Sequence, residues 1–474
     1  MSEQTKHEMK TIEELSEGNV GVKRTLTFGR GVGVLGGLII GSGIFYTSSY
    51  VLDYSYGNPG IAILAWVLGG LICLGAAMCL AELASIMPAN GGTYLYISRI
   101  YGKAGPLLAF TMGWSDALIG IPGNVAIALV GATYIGTLFG GFSAIQISCL
   151  AAGICIILTL FNMIGAKEGS MLSTVLLFIK VAAILCVILA CFIFGENTGD
   201  PITFTNMAGS GSIISALSFS VVAVLWCFDG WNSICHMAGE LKNPKKNISR
   251  VMAVTIAGIT VIYLLFNFAI MRILPVSDII ASENVTFDVV EILFGKGAAT
   301  VITVAIICSV IGSLNSCILV YPREIYAMSR DYRWFTPCGR LSKKRKQPVA
   351  ASLYILAMMV FYCFAASFRS LVDIIVLYNW IYFMLAVLGV IVLRKKRPDL
   401  ERPYKTFGYP VVPILVAFCA LVMLIVNFVW DPSTALGFII PLTGIPAYYA
   451  FQYYFRKRGY PKFEDEAEGE ASAE

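Results

Sequence analysis

Long runs of apolar residues, separated by short polar segments, recur along the whole chain. A run of about 20 apolar residues matches the length of a helix that crosses the bilayer core. A soluble domain of this length does not contain so many such runs, so the pattern predicts an all-α membrane protein. The runs predict twelve transmembrane helices, at residues 28–52, 60–86, 105–139, 144–163, 168–195, 212–238, 250–274, 297–328, 349–367, 371–393, 409–430 and 434–455.

The first of these runs is interrupted at IIGSGIF, residues 39–45, where Gly41, Ser42 and Gly43 lie at mid-membrane depth. Glycine weakens a helix, and an unwound turn in hydrocarbon leaves backbone groups without partners. A half-helix that restarts there points free N–H groups into the gap, which suits a carboxylate. The alternative is helix packing, because Gly29, Gly33, Gly37 and Gly41 form a small-residue stripe. This run alone leaves both interpretations open.

A second interruption lies in LWCFDGWN, residues 225–232, where Asp229 and Gly230 break the sixth apolar run. The second break lies five spans after the first, an odd number, so the second copy runs inverted through the membrane. Interrupted helices in corresponding positions of two halves are typical of transporter sites. We therefore predict a 5+5 inverted repeat with broken helices 1 and 6. Repeat one covers 28–195 and repeat two covers 212–393, within a core of 28–395, and helices 11 and 12 follow at 409–455.

Three ionisable residues lie deep in predicted spans, where such groups usually serve a function. Lys180 in span 5 either snorkels to the interface or places its ammonium group between spans 1 and 8, in the role of a bound cation. Asp116 in span 3 either pairs with a neighbouring helix or acts directly. Asp229 either caps the half-helix that restarts at Gly230 or contacts a substrate ammonium group.

Other polar and aromatic residues near the breaks are candidates for the site. Trp226 lies beside the second break, and we interpret it as a gate that closes over a bound solute. Asn124 follows Pro122, which frees a backbone carbonyl, and is a candidate pocket wall. Asn315 in span 8 is either functional or an interhelical hydrogen-bonding residue. His236 is expected to be a packed polar residue.

Charge and cysteine patterns restrict the class of protein further. Of the 474 residues, 57% are hydrophobic and only 13% charged. Twenty Lys and Arg residues fall in loops on the side of the N-terminus and three in loops on the other side. The positive-inside rule therefore places both termini in the cytoplasm, including the polar tail 1–27 and the acidic tail 456–474. The net charge of +5 follows this topology and does not indicate nucleic-acid binding.

The sequence contains no enzyme signature, and we expect no cofactor and no metal site. The thirteen cysteines mostly lie inside apolar runs and show no metal or disulfide spacing. Glu82, Glu240 and the basic loop 242–250 lie near the cytoplasmic face. There they either form salt bridges that close an inner vestibule or remain solvated.

Several long motifs, in the same order, resemble the L-type amino-acid transporter group of the amino acid–polyamine–organocation superfamily. They are IIGSGIF (39–45), AELASIMPANGGTYLYI (81–97), VAIALVGATY (125–134) after Pro122, LWCFDGWN…GELKNP (225–244) and SVIGSLNS…REIYAMSRD (309–331). The resemblance covers about residues 25–455. It implies a LeuT-like fold, alternating access and one-for-one exchange of amino acids.

The resemblance also implies roles for individual residues. The substrate carboxylate would meet the amides of Ser42, Gly43 and Ile44 beside Gly41. The substrate amine would meet backbone carbonyls near three residues, which are Ile40, Trp226 and Cys227. Trp226 matches the group's gating aromatic residue. Lys180 matches a lysine that stands where sodium-coupled relatives hold a sodium ion.

Two departures from the group's pattern narrow these expectations. The loop GTLFGGFSAI (136–145) lacks the cysteine that links animal members to a heavy subunit, so we expect a free-standing bacterial protein. Ser249 stands where the group often has proline, so the chain departs from the group's pattern near the inner gate. Asp229 is compatible with cationic and with small neutral substrates.

The sequence therefore predicts a sodium-independent amino-acid transporter of the plasma membrane, whose partners are amino-acid substrates and the lipid bilayer. The main hypothesis is an exchanger of neutral L-amino acids, with cationic ones as a further option. A proton-coupled symporter, in which Lys180 loses its proton, is the alternative. A sensor that binds amino acids without transport is the third.

Overall fold

A computed structural model gives the fold of the chain. It describes residues 24–41, 43–204, 213–282, 284–332, 336–342, 345–365, 368–430 and 436–458. Ser42, the first 23 residues and the acidic tail from 459 onward lie outside the described residues. The described part is helical, and its β-structure is one parallel bridge between Leu26 and Leu241.

The helices follow one another with short connections. We number them in chain order as α1 (Phe28–Ile39), α2 (Gly43–Tyr54), α3 (Pro59–Ile86), α4 (Gly92–Ile100), α5 (Gly102–Leu138), α6 (Ala144–Asn162), α7 (Ala166–Phe194), α8 (Ile213–Cys227), α9 (Pro244–Ile273), α10 (Val276–Ala281), α11 (Val285–Phe294), α12 (Lys296–Val320), α13 (Pro322–Tyr332), α14 (Val349–Ala365), α15 (Phe368–Lys396), α16 (Val411–Trp430) and α17 (Leu436–Arg458). Two 3₁₀ helices join them, at Ser233–Glu240 and Thr336–Gly339, and α5 itself begins with a 3₁₀ turn at Gly102–Ala104.

Within the described ranges, seven helical stretches are long and apolar enough to cross a membrane by length and composition. Each predicted span overlaps one or two of the helices. The sequence did not predict the short helices α4, α10 and α11, which lie in the connections between the long ones. The chain is a multi-pass, all-helical membrane protein.

Local sequence explains where several helices begin. Asn58 precedes α3, and its side-chain oxygen accepts a hydrogen bond from the amide of Ile61 at 3.0 Å. Pro59 then takes the first helical position, where no amide donor is needed. Ser143 and Gln146 form a capping box at the start of α6.

Pro122 changes the hydrogen bonding of α5 as the sequence predicted. The ladder widens into a π-helical turn at Asp116–Gly120, and the amide of Ile121 donates to the carbonyl of Asp116. The carbonyl of Leu118 is four residues before the proline. It accepts a hydrogen bond from the Tyr362 hydroxyl of α14 at 2.9 Å. The proline therefore frees a backbone acceptor that a neighbouring helix satisfies.

Small residues set how closely the central helices approach. A Cβ atom at Gly33 of α1 would lie 2.8 Å from the backbone of Thr174 in α7. A Cβ atom at Gly37 would lie 2.9 Å from the Ser316 hydroxyl in α12. The packing stripe proposed for the first span is thus observed at these two positions. At Gly29 the prediction was wrong, because this glycine is exposed and an added Cβ would meet nothing within 4 Å.

Candidate functional site

The first interruption lies between α1 and α2. The α-helix ends at Ile39, and Ile40 has an extended backbone (φ −75°, ψ 91°) before α2 begins at Gly43. Helix ends leave carbonyl groups without intrahelical partners, and they carry the negative end of the helix dipole. The end of α1 is therefore an acceptor for a cation or a donor side chain.

Lys180 of α7 occupies that position. Its ammonium group donates to the carbonyl of Gly37 at 2.9 Å, to the carbonyl of Ile40, and to the Ser313 hydroxyl of α12 at 3.1 Å. The Ser313 oxygen is also 2.9 Å from each of the two carbonyl oxygens. The ammonium group lies between α1 and α12, where the sequence placed it, and the residue is 1% exposed. Snorkelling is therefore excluded for Lys180.

The second interruption follows α8, which ends at Cys227. Single turns continue to the 3₁₀ helix that begins at Ser233. Gly230 has a positive φ of 86°, and a Cβ atom there would lie 1.7 Å from the Leu38 side chain of α1. Only glycine suits this turn, because of its backbone conformation and because α1 lies so close.

Asp229 is part of this turn, and it does not cap the next helix. Its carboxylate accepts a hydrogen bond from the Gly230 amide. The residue directly before the 3₁₀ helix is Asn232, which makes no side-chain capping bond. The segment that follows the break is a 3₁₀ helix of eight residues, shorter and tighter than the half-helix that the sequence predicted.

The two interruptions are in contact. A Cβ atom at Gly43 would lie 3.2 Å from the Cys227 sulfur and 3.4 Å from its Cα. The Tyr263 hydroxyl of α9 is 3.3 Å from the carbonyl oxygens of both Ile39 and Cys227. Tyr263 was not predicted from the sequence. The feature that could have identified it is a hydroxyl group in the middle of an apolar run. The chain therefore brings Ile40, Gly43, Ile44 and Cys227 together at one place.

A small cavity lies beside the second interruption, with a volume of about 20 Å³. Its lining is Met112, Asp116, Gly120, Ile121, Asn124, Asp229, Asn232, His236, Tyr321, Glu324, Asn379 and Phe383. The volume is enough for about one water molecule. Asp229 and Asn124 thus share a wall, whereas the half-buried Trp226 is not among the described residues that line the cavity.

The polar candidates in the scaffold helices are bonded to protein groups. Asn124 donates to the carbonyls of Gly120 and Ile121 at 3.0 and 3.1 Å. Asn315 donates to Ser173 at 2.8 Å and accepts from Asn162 at 2.7 Å, so it joins three helices. The interhelical interpretation of Asn315 is confirmed.

The two ends of the bundle differ in how open they are. A cavity of about 1010 Å³ opens at one end, between the outer parts of α2, α5 and α12 and the segment 280–287. The opposite end, which includes Leu26, has a smaller cavity of about 290 Å³ and is crossed by polar contacts. There the Leu26 amide donates to the Glu240 carbonyl at 2.9 Å, and the Lys242 amide donates to the Leu26 carbonyl at 2.7 Å.

A buried ion pair lies at this closed end. Arg323 donates to the Glu240 carboxylate at 2.7 and 3.3 Å and to Gln347 at 2.6 Å, and both charged residues are 3% exposed. Asn90 donates to the same carboxylate at 3.3 Å. Arg323 lies inside the apolar run of span 8. The count of Lys and Arg residues in the predicted loops therefore did not include it.

Glu82 is paired in the same way, by Arg394 of α15 at 2.8 and 2.6 Å and by the Thr406 amide at 2.7 Å. Glu82 and Glu240 thus form salt bridges, the first of the two alternatives, but their partners are arginines outside the basic loop 242–250. That loop contributes the exposed pair between Lys245 and Glu401 at 3.8 Å. Buried carboxylates need close, well-directed donors, and the arginines of the helices provide them.

Comparison with known proteins agrees with this architecture. The profile of the amino acid permease family matches residues 26–452. The chain is 31% identical over 425 residues to the serine/threonine exchanger SteT of Bacillus subtilis (strain 168), which covers 88% of this chain and 94% of that protein. It is 31% identical over 444 residues to the cystine/glutamate transporter of Homo sapiens, covering 91% and 86%.

A third relative is the b(0,+)-type amino acid transporter 1 of Mus musculus, at 27% identity over 435 residues, or 90% of this chain and 87% of that protein. These relatives are membrane transporters and not enzymes. The resemblance to the L-type transporter group is thereby confirmed. The chain belongs to the amino acid permease family of the amino acid–polyamine–organocation superfamily.

Proposed function

We propose that the protein is a sodium-independent exchanger of L-amino acids. The observation that carries this proposal is the contact between the two interruptions, where Tyr263 lies within 3.3 Å of the last carbonyls of both helices. Helix starts supply amide donors and helix ends supply carbonyl acceptors. A zwitterion presents a carboxylate and an ammonium group only a few Å apart, and it fits such a pair of ends.

The carboxylate would bind at the start of α2, at the amides of Ser42, Gly43 and Ile44. The ammonium group would bind at the opposite ends, near the carbonyls of Ile40, Trp226 and Cys227, with Asp229 adjacent. Some of these carbonyls already accept a bond, Ile40 from Lys180 and Cys227 from Tyr263. A carbonyl oxygen has two lone pairs, so Cys227 can accept a second donor. Ile40 can do so when the single hydroxyl hydrogen of Ser313 points to the Gly37 carbonyl.

Sodium independence rests on Lys180. Carbonyl and hydroxyl oxygens of the kind that bind hard cations surround its ammonium group. The ammonium group therefore supplies a positive charge at the end of α1, where a coupled ion would otherwise be needed. Trp226, on the last turn of α8, is proposed as the gate over the substrate.

The proposed topology has twelve transmembrane helices, with repeats 28–195 and 212–393 in inverted orientation and both termini in the cytoplasm. Helix contacts support the repeat. Three helix pairs of the core are in contact, which are α7·α9, α7·α12 and α6·α12. A shift of five spans relates them to α15·α3, α15·α5 and α14·α5, and these three pairs are also in contact. Helices α16 and α17 pack outside this set, on α3, α15 and α5.

The conformation fits alternating access. With the termini inside the cell, the 1010 Å³ cavity opens to the exterior, and the pair Arg323–Glu240 closes the cytoplasmic end. We propose that a substrate enters through this cavity and leaves after the inner contacts separate. The protein is proposed to act in the cell membrane without a disulfide-linked heavy subunit.

Transport into liposomes tests the proposal. The purified protein is reconstituted alone, and uptake of labelled L-serine, L-threonine, L-glutamate, L-cystine and L-lysine is measured in sodium-free buffer. Exchange predicts uptake only into vesicles preloaded with unlabelled amino acid. Uptake into empty vesicles, driven by an inward proton gradient, would support the symporter instead. Binding without any uptake would support a sensor.

A further inference from the structure

Three buried ionisable side chains of different elements meet at the wall of the small cavity. Asp116 comes from α5, His236 from the 3₁₀ helix and Glu324 from α13, and they are 6%, 1% and 2% exposed. The His236 Nδ1 atom is 3.1 Å from the Glu324 Oε2 atom. The proposed exchange mechanism gives none of these three residues a role.

The carboxyl groups of Asp116 and Glu324 line the same small cavity and interact with each other. Two carboxylates at one buried site repel each other, and a proton on one of them relieves this repulsion because that carboxyl group can then donate to the other. The Tyr378 hydroxyl of α15 donates to Asp116 Oδ1 at 2.8 Å, which occupies one further lone pair. A Cβ atom at Gly120 would lie 1.6 Å from this hydroxyl, so glycine keeps the contact possible.

The cluster of Asp116, His236 and Glu324 also contains buried polar atoms that lack a hydrogen-bond partner among the described residues. Among the described residues, none provides a hydrogen bond to Glu324 Oε1, and His236 Nδ1 is not aligned for one despite its short distance. On the other side of the imidazole ring, Asn232 Nδ2 is 3.4 Å from Nε2. A buried polar atom without a hydrogen-bond partner costs free energy. These atoms therefore indicate that the cluster binds a small mobile ligand.

Charge and volume decide which ligand that is. The other ionisable groups at the cavity wall are Asp229 and Tyr321, and no Lys or Arg is among its described lining residues. Two protons would leave Asp116, His236 and Glu324 without net charge. A cavity of about 20 Å³ admits water and protons but not a lysine or arginine side chain.

We propose that Asp116, His236 and Glu324 form a proton-binding site whose occupancy is coupled to closure of the cytoplasmic end. This inference rests on the proposed exchange function. His236 follows the second interruption, whereas Asp116 and Glu324 belong to α5 and α13 beside it. Opening between these elements separates the three side chains and admits water, so the carboxyl proton leaves to that water. The closed state thus binds more protons than the open state.

The sign of the pH effect follows from linkage. Because the closed state holds the additional proton, acidification favours closure and slows exchange, by at most about tenfold per pH unit for one proton. Exchange is measured in vesicles with equal pH on both sides, from pH 8 to 5.5, with the amino acid most active in the panel above. We expect a fall of about fivefold or more in the wild type.

The double variant D116N/E324Q keeps both hydrogen-bonding side chains but removes the two carboxyl groups that exchange the proton. We expect its rate to change by less than about twofold over that range. The exposed Glu291→Gln variant of α11 serves as the control and should follow the wild-type profile. A double variant with the full wild-type pH profile would overturn the proposal. So would a change in the preference for L-lysine over L-serine with the profile intact, because it would indicate a side-chain subsite.

A measurement on the wild type alone does not depend on the variant's folding. Infrared spectroscopy of the reconstituted protein at pH 7 should show the carbonyl stretch of a protonated, buried carboxyl group. The absence of this band would overturn the proposal, whatever the variants do. If no amino acid is exchanged at all, the proposed function fails, and the infrared result still decides the proton site.

Discussion

Individual residues at the two interruptions work through close backbone contact. Gly43 leaves room for Cys227, since even a Cβ atom would come within 3.2 Å of its sulfur. Contacts of this kind are insensitive to most side-chain chemistry but sensitive to size. A test of the site should therefore enlarge the glycine and not remove a polar group.

Replacing Gly43 by valine should abolish exchange. The added methyl groups would push α2 away from Cys227 and misplace the amides of Ser42 and Ile44, and we expect activity to fall at least about tenfold, or about 1.4 kcal/mol. Gly258→Val is the matched control, because Gly258 lies exposed on α9 with nothing within 4 Å of an added Cβ. Binding and exchange that survive in Gly43→Val would contradict the helix-1 site.

Lys180 is a second residue whose role is open to direct test. Lys180→Met removes the donor from the carbonyls of Gly37 and Ile40, and we expect at least about tenfold slower exchange. Lys180→Arg should not restore activity, because a planar guanidinium group does not fit a site built for a compact ammonium. The measurement is exchange in proteoliposomes, normalised to the amount of inserted protein.

Lys167→Met, at the exposed start of the same helix α7, is the control and should exchange at the wild-type rate. Adding sodium to the transport assay of Lys180→Met provides a further test. If sodium restores transport to Lys180→Met, the ammonium group does replace a bound cation. Unchanged activity in this variant would show that the charge is dispensable.

At the scale of the elements, the inner end is held by contacts that the sequence could not reveal. Arg323 and Glu240 are 83 positions apart, and Arg323 lies within an apolar run. Removing one member of a buried ion pair leaves an uncompensated charge and costs about 3–5 kcal/mol. Exposed pairs contribute only about 0–1 kcal/mol.

We therefore expect Glu240→Ala to lower the Tm of the purified protein clearly more than Arg99→Ala does. Arg99 and Asp331 form a pair at 3.1 Å near the same end, but their side chains are 24% and 25% exposed. Thermal unfolding in one detergent measures both variants. Equal shifts in Tm would mean that the buried pair does not hold the inner end closed.

The sequence predicted what a local pattern can encode. The apolar runs predicted the helices, and glycine or aspartate inside an apolar run predicted both interruptions. The position of Lys180 followed from its depth. Contacts between distant segments had no such signal, which is why Tyr263 and the partners of Glu82 were missed. Gly29 was misassigned because spacing alone does not tell whether another helix faces that turn.

At the scale of the whole molecule, charge and cavities together support the proposed orientation. Under the proposed topology, twenty basic loop residues share the side of the N-terminus, and the open cavity of about 1010 Å³ lies at the other end. Both ends cannot be open at once if the protein works by alternating access. Reagents that do not cross the membrane should therefore distinguish the two ends in intact cells.

Single cysteines at the two ends make this distinction. Thr133 lines the open cavity and Lys167 is exposed at the other end. We expect a membrane-impermeant maleimide to label Thr133→Cys in intact cells, and to label Lys167→Cys only in inside-out vesicles. Because the chain has thirteen native cysteines, labelling is quantified by mass spectrometry on the peptide that carries the new one. Labelling of Lys167→Cys from outside would reverse the proposed topology, and protection of Thr133→Cys in cells would place the resting state with its outer end closed.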